Sequence, residues 1–106
     1  MKMEPRMLEP VSTRRILERM LRNLKALYAK AEDHPRTLRA IELLLCLDPE
    51  SLENLRDRGL VYAALDCYGF AVRDLTAYLA QVGTGARTKE LEATLDSLRR
   101  RAARLN

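Results

Sequence analysis

The stretch LRDRGLVYAALDCYGFAVRDLTAYL, residues 55–79, decides the fold, because it reads as two short helices broken by a turn at Asp66, Cys67 and Tyr68. Ala71, Val72, Leu75, Tyr78 and Leu79 fall three and four apart, which is the spacing of one helical face. The same grammar occurs 34 residues earlier: Leu21 recurs as Leu55, Tyr28 as Tyr62, Leu38 as Val72, Ile41 as Leu75 and Leu45 as Leu79. Each copy therefore holds two apolar stripes that need a neighbouring helix for burial. A period of that length signals a stacked helical repeat.

Outward from this stretch, Ile16, Met20, Leu24, Leu27 and Ala31 mark an apolar face on a first helix expected over 13–31. Ser12 is placed as its N-cap, with Val11 and Ile16 as a hydrophobic staple. Glu32, Asp33 and His34 form a turn, and Pro35 suits the first position of a second helix over 35–47, where a missing N–H costs nothing. Leu38, Ile41, Leu44 and Leu45 are expected to face the first helix. Asp48-Pro49 stops that helix, because proline disfavours a helical predecessor. A third helix is expected from about Glu50 and a fourth up to Val82. Gly59, mid-helix, costs about 1 kcal/mol against alanine and so implies a close helix approach. After Gly83-Thr84-Gly85, the residues Leu91, Leu95, Leu98, Ala102 and Leu105 form one apolar stripe, read as a capping helix over 87–104.

These residues resemble the tetratricopeptide repeat. Leu55, Gly59, Tyr62, Tyr68 and Ala71 match the pattern of one unit in register, and Leu21, Leu24, Tyr28, Ile41 and Pro49 match that of another. The first departs from the pattern at Lys25, where glycine is expected, and at Thr37, where alanine is expected. The expected fold is all-α: two helix-turn-helix units, about 18–51 and 52–85, plus the capping helix, five helices in a fragment of a right-handed α-solenoid. Residues 1–11 are expected to be a flexible arm or linker remnant before a domain spanning 12–106. Leucine spacing alone also permits a generic antiparallel bundle.

The strings LEPVSTRRILERMLRNLKALYAKAED, LLLCLDPES and LRDRGLVYAALDCYGFAVRDL further resemble the C-terminal region of bacterial SirB-like regulators. The resemblance implies a transglutaminase-like domain upstream of such a repeat region and a bacterial origin. The cysteine, histidine and aspartate of a transglutaminase-like site have no counterparts to carry onto this chain.

Composition narrows the function. The chain of 106 residues fits one domain, and its leucine-rich, tryptophan-free apolar content suits a helical core. It contains no apolar run near the length of a membrane span, and the cytoplasm is the expected compartment. The net charge of +4 concentrates in residues 1–25 and 87–106. Cys46 and Cys67 lack the paired spacing of a zinc or redox motif and read as reduced thiols. His34 has no nucleophile or carboxylate in triad arrangement with it, and Gly83-Thr84-Gly85 lacks the lysine and the preceding strand of a phosphate loop. No catalytic residue, metal site or cofactor is assigned, and the chain is read as a non-catalytic adaptor.

First helices of stacked pairs line a concave surface where a peptide or partner helix lies. The partner-binding residues expected there are Arg15, Arg19, Arg22, Asn23 and Ala26 on the first helix, with Arg56 and Leu60 on the third. Such a basic face fits an acidic protein segment through arginine–carboxylate pairs, although a merely solvated helix face has the same spacing. Ala26 argues against the lysine–asparagine clamp on a terminal carboxylate that some of these domains use. Two other readings stand beside this one. Arg99, Arg100, Arg101 and Arg104 offer phosphate contacts to nucleic acid, but no aromatic residue is interleaved and the helix macrodipole explains them equally. Self-association is the other: two repeats are few for a stable stack, so a homodimer would close the open end unless the capping helix folds back.

Overall fold

The computed structural model describes residues 10–105, and every regular element among them is helical. In order these are α1 (Pro10–Lys30), α2 (His34–Leu47), α3 (Leu52–Ala64), α4 (Tyr68–Val82) and α5 (Lys89–Arg104), with a short 3₁₀ turn over Ala86–Thr88 leading into α5. The expected arm lies outside the described residues up to residue 9. Pro10 and Val11 already belong to α1, so Ser12 sits inside the helix and does not cap it.

The chain divides into two compact units, residues 1–49 and 50–106. Their turns are copies of each other at the 34-residue offset. In the first, Asp33 N–H donates to the Tyr28 carbonyl at 2.9 Å, Glu32 N–H to Ala29 at 3.0 Å, and Thr37 N–H to Asp33 at 2.9 Å. In the second, Cys67 N–H donates to Tyr62 at 2.8 Å, Asp66 N–H to Ala63 at 3.1 Å, and Ala71 N–H to Cys67 at 3.0 Å. Both are Schellman closures, which need a left-handed residue after the C-cap. Glu32 at φ 56° and Asp66 at φ 61° fill that position without being glycine. Tyr28 and Tyr62 keep corresponding neighbours: the Arg36 guanidinium lies 5.9 Å from the Tyr28 ring, and Phe70, the counterpart of Arg36, lies 5.3 Å from Tyr62.

Within the first unit α2 buries Thr37, Ala40, Ile41 and Leu44, and Leu38 and Leu45 are half-buried. The Asp33 carboxylate caps α2 by accepting from Arg36 N–H at 3.2 Å. The Thr37 hydroxyl donates to the Asp33 carbonyl at 2.8 Å, which satisfies a polar group in the place of the expected alanine. The apolar face expected on α1 is not covered. Ile16 is 57% exposed, Met20 55%, Leu24 38% and Leu27 61%, while over residues 13–30 of α1 the half-buried ones are Glu18, Leu21, Lys25 and Tyr28. The stripe on α1 is wider than one neighbour, and α2 packs along its Leu21–Tyr28 edge.

In the second unit Ser51 caps α3 by accepting from Asn54 N–H at 3.3 Å. Ala71, Leu75 and Leu79 of α4 form one core with Leu95 and Leu98 of α5, with Tyr62, Val72, Tyr78 and Leu91 packed against it. The capping helix therefore folds back on α4, and the α4–α5 contact is made within the chain. Leu105, at the end of its stripe, is left 72% exposed. Gly83 turns the chain out of α4 at φ 80°. Gly59 has the packing role its position implies: a Cβ there would stand 2.9 Å from Leu75 Cγ and 3.2 Å from Asp74 Cβ.

Candidate functional site

The helical register of α1 places Arg15, Arg19, Arg22, Asn23 and Ala26 together on its surface, and all five are exposed. Arg22 approaches Glu18 at a loose 3.9 Å and remains 70% exposed, whereas Arg14 takes the closer contact with that carboxylate at 3.1 Å. Arg14 also donates to the Leu47 carbonyl at the end of α2 and so tethers the first turns of α1 to that end. Arg15 and Arg19 have no ion pair among the described residues. The arrangement leaves two to three guanidinium groups along one helix, able to meet carboxylates in bidentate fashion.

The counterpart of Arg22 in the second unit behaves differently. Arg56 is only half-exposed and donates twice to the Asp57 carboxylate, from Nε at 3.1 Å and Nη2 at 3.0 Å. Its guanidinium lies 5.9 Å from the Tyr78 ring. Burial pulls its pKa down, but the hydrogen bond and charge of Asp57, with Tyr78 adding, outweigh it and hold the pKa above the ordinary value. Leu60, one turn further along α3, is 39% exposed.

Residue spacing missed two features. One is a buried ion pair beside Gly59: Arg58 Nε donates to Asp74 Oδ2 at 2.7 Å and Nη2 to Oδ1 at 3.0 Å, with the Asp74 side chain 2% exposed. Leu24 and Ala40 hold the corresponding positions of the first unit, so the 34-residue offset carried the signal: both members of the pair change from apolar to charged together. The other is an apolar groove of about 290 Å³ between α1 and α2, lined by Leu17, Met20, Leu21, Leu24, Leu43, Cys46 and Leu47.

A repeated Schellman turn, a repeated tyrosine environment and a back-folded final helix describe one kind of unit, and a tetratricopeptide repeat family model matches residues 24–103. The chain belongs to the tetratricopeptide repeat family. It is also similar to a UPF0162 protein of Xylella fastidiosa, 43% identical over 72 residues, which cover 68% of this chain and 26% of that protein. The UPF0162 protein YchA of Escherichia coli is 31% identical over 83 residues, 78% of this chain and 31% of YchA. Protein SirB1 of Salmonella typhimurium is 28% identical over 91 residues, 86% of this chain and 34% of SirB1. The resemblance to SirB-like proteins is thus shown, and the chain spans about a quarter to a third of the length of these relatives. No solved structure matches it. Tetratricopeptide repeats point to a protein-interaction module and to a non-catalytic region. Among the described residues no three His, Cys, Asp or Glu side chains converge as metal ligands, and no helix is long and apolar enough to cross a membrane.

Proposed function

We propose that the chain is a non-catalytic protein-interaction module that holds an acidic segment of a partner protein on the arginine-bearing face of α1. The observation that carries this reading is the exposure of Arg15, Arg19 and Arg22 along one helix, with Arg15 and Arg19 unpaired among the described residues. Asn23 supplies an amide at its edge, and Ala26 leaves room for a backbone to approach. Arg56 and Leu60 belong to the second unit, where Asp57 already neutralises Arg56, so the proposed site is the α1 face itself. Nucleic acid is the weaker reading: Arg99 lies 3.6 Å from Asp96 and 3.4 Å from Thr76, and Arg101 lies over the Tyr68 ring at 5.7 Å. Those contacts occupy two of the four C-terminal arginines.

The test is fluorescence anisotropy with a labelled glutamate-rich peptide at low and physiological salt. Binding that weakens with salt and is lost in Arg15→Glu/Arg19→Glu/Arg22→Glu, with helicity by circular dichroism unchanged, is the expected result. A wild-type chain that ignores the peptide at low salt, or a triple variant that binds as well as wild type, refutes the assignment.

A further inference from the structure

The exposed apolar residues of α1 are ordered. Leu17, Met20, Leu24 and Leu27 follow one another at steps of three and four, the spacing of a helix–helix seam, with the small Thr13 one step before them and Ala31 one step after, in the turn that follows α1. Of these, Leu17, Met20, Leu24 and Leu27 are 38% to 61% exposed, and Ile16 at 57% borders them. Leu43, 48% exposed, and Cys46 continue the surface onto α2 through the groove between the helices. We propose that this seam pairs antiparallel with the same seam of a second copy of the chain, giving a four-helix contact built from two α1–α2 hairpins.

The occupant is argued from the order of residues along α1. Centred near Arg22, an antiparallel register sets Leu17 opposite Leu27, Met20 opposite Leu24 and Thr13 opposite Ala31, so each large side chain meets another and the small ones meet at the ends. The flank away from α2 carries Ile16, Asn23 and Lys30. In this register Asn23 comes beside its own copy, where two amides satisfy each other, and Lys30 lies along Ile16 with no like charge opposite. The arginines at 15, 19 and 22 point to other sectors of the helix and stay clear of the two-fold axis. The exposed parts of these side chains and of Leu43 amount to about 500 Å² per copy, or about 1,000 Å² in all, the size at which specific interfaces begin. At that size the dimer is a modest one that dissociates on dilution. It shares only Asn23 with the arginine site, and the variants that test each leave the other's residues unchanged, so either proposal can fail without the other.

Sedimentation equilibrium across a concentration series tests it on the whole chain. The expected result is a monomer–dimer equilibrium that Met20→Glu/Leu27→Glu, at positions more than half exposed, shifts to monomer throughout with unchanged helicity. Leu27→Glu alone, expected to weaken the dimer, serves if the double variant loses helix. Leu105→Glu, at a more exposed leucine off the seam, leaves the equilibrium as it was. A wild-type chain that is monomeric at every concentration overturns the proposal. A dimer that survives Met20→Glu/Leu27→Glu overturns it as well.

Discussion

Replacing Arg58 and Asp74 by the residues of the first unit, Leu and Ala, separates what this buried pair contributes from what it costs. Arg58→Leu alone leaves the Asp74 carboxylate almost fully enclosed, with Arg73 Nε at 3.3 Å as its remaining cation. Breaking a buried pair on that side costs about 3–5 kcal/mol, and the Arg73 contact, itself half in water, places the expected loss near the lower end, about 3 kcal/mol. Asp74→Ala alone is milder. The Arg58 side chain is 24% exposed and can turn toward solvent, so about 1–2 kcal/mol is lost, mainly from the two charge-assisted hydrogen bonds. The double variant removes both desolvation penalties and recreates the Leu24/Ala40 combination, in which Ala40 is 4% exposed in an intact helical pair. Its stability is expected within about 1 kcal/mol of wild type, so the single losses fail to add by at least about 3 kcal/mol. Urea unfolding followed by circular dichroism measures all four proteins, provided their slopes stay equal. Additive single losses, or a double variant less stable than Arg58→Leu, would refute the claim that the pair is costly to break but dispensable as a whole.

Two stability predictions accompany it. Gly59→Ala gains about 1 kcal/mol of helix propensity but drives a Cβ to 2.9 Å from fully buried Leu75, an overpacking of about 1–3 kcal/mol, so a net loss near 1 kcal/mol is expected; a raised urea midpoint would contradict it. Glu32→Gly relieves a left-handed residue at φ 56° and should stabilise the chain by about 1 kcal/mol in thermal melts. The matching Asp66→Gly should gain less, because it removes the carboxylate that accepts from the Tyr68 hydroxyl at 2.9 Å.

Much of the helical architecture follows from local pattern. Proline, aspartate and glycine break the chain near the observed helix ends, and the three- and four-residue spacing on α4 and α5 names Ala71, Leu75, Leu79, Leu95 and Leu98, which form the core. The 34-residue offset carries the repeat because equivalent turns must solve the same backbone problem, as the paired hydrogen bonds of Tyr28 and Tyr62 show. The arginine face of α1 is legible for the same reason: helical spacing alone puts those residues together.

Burial on α1 was settled elsewhere. Periodicity identifies an apolar stripe but not which edge a neighbour occupies, and α2 covers Leu21 and Tyr28 while leaving Met20 and Leu27 in water. The pairing of Arg58 with Asp74 likewise joins residues on different helices, α3 and α4. Local spacing determines which side chains share a face, whereas packing of one helix on another determines which faces lose water, and for this chain only the latter distinguishes a core leucine from an exposed one.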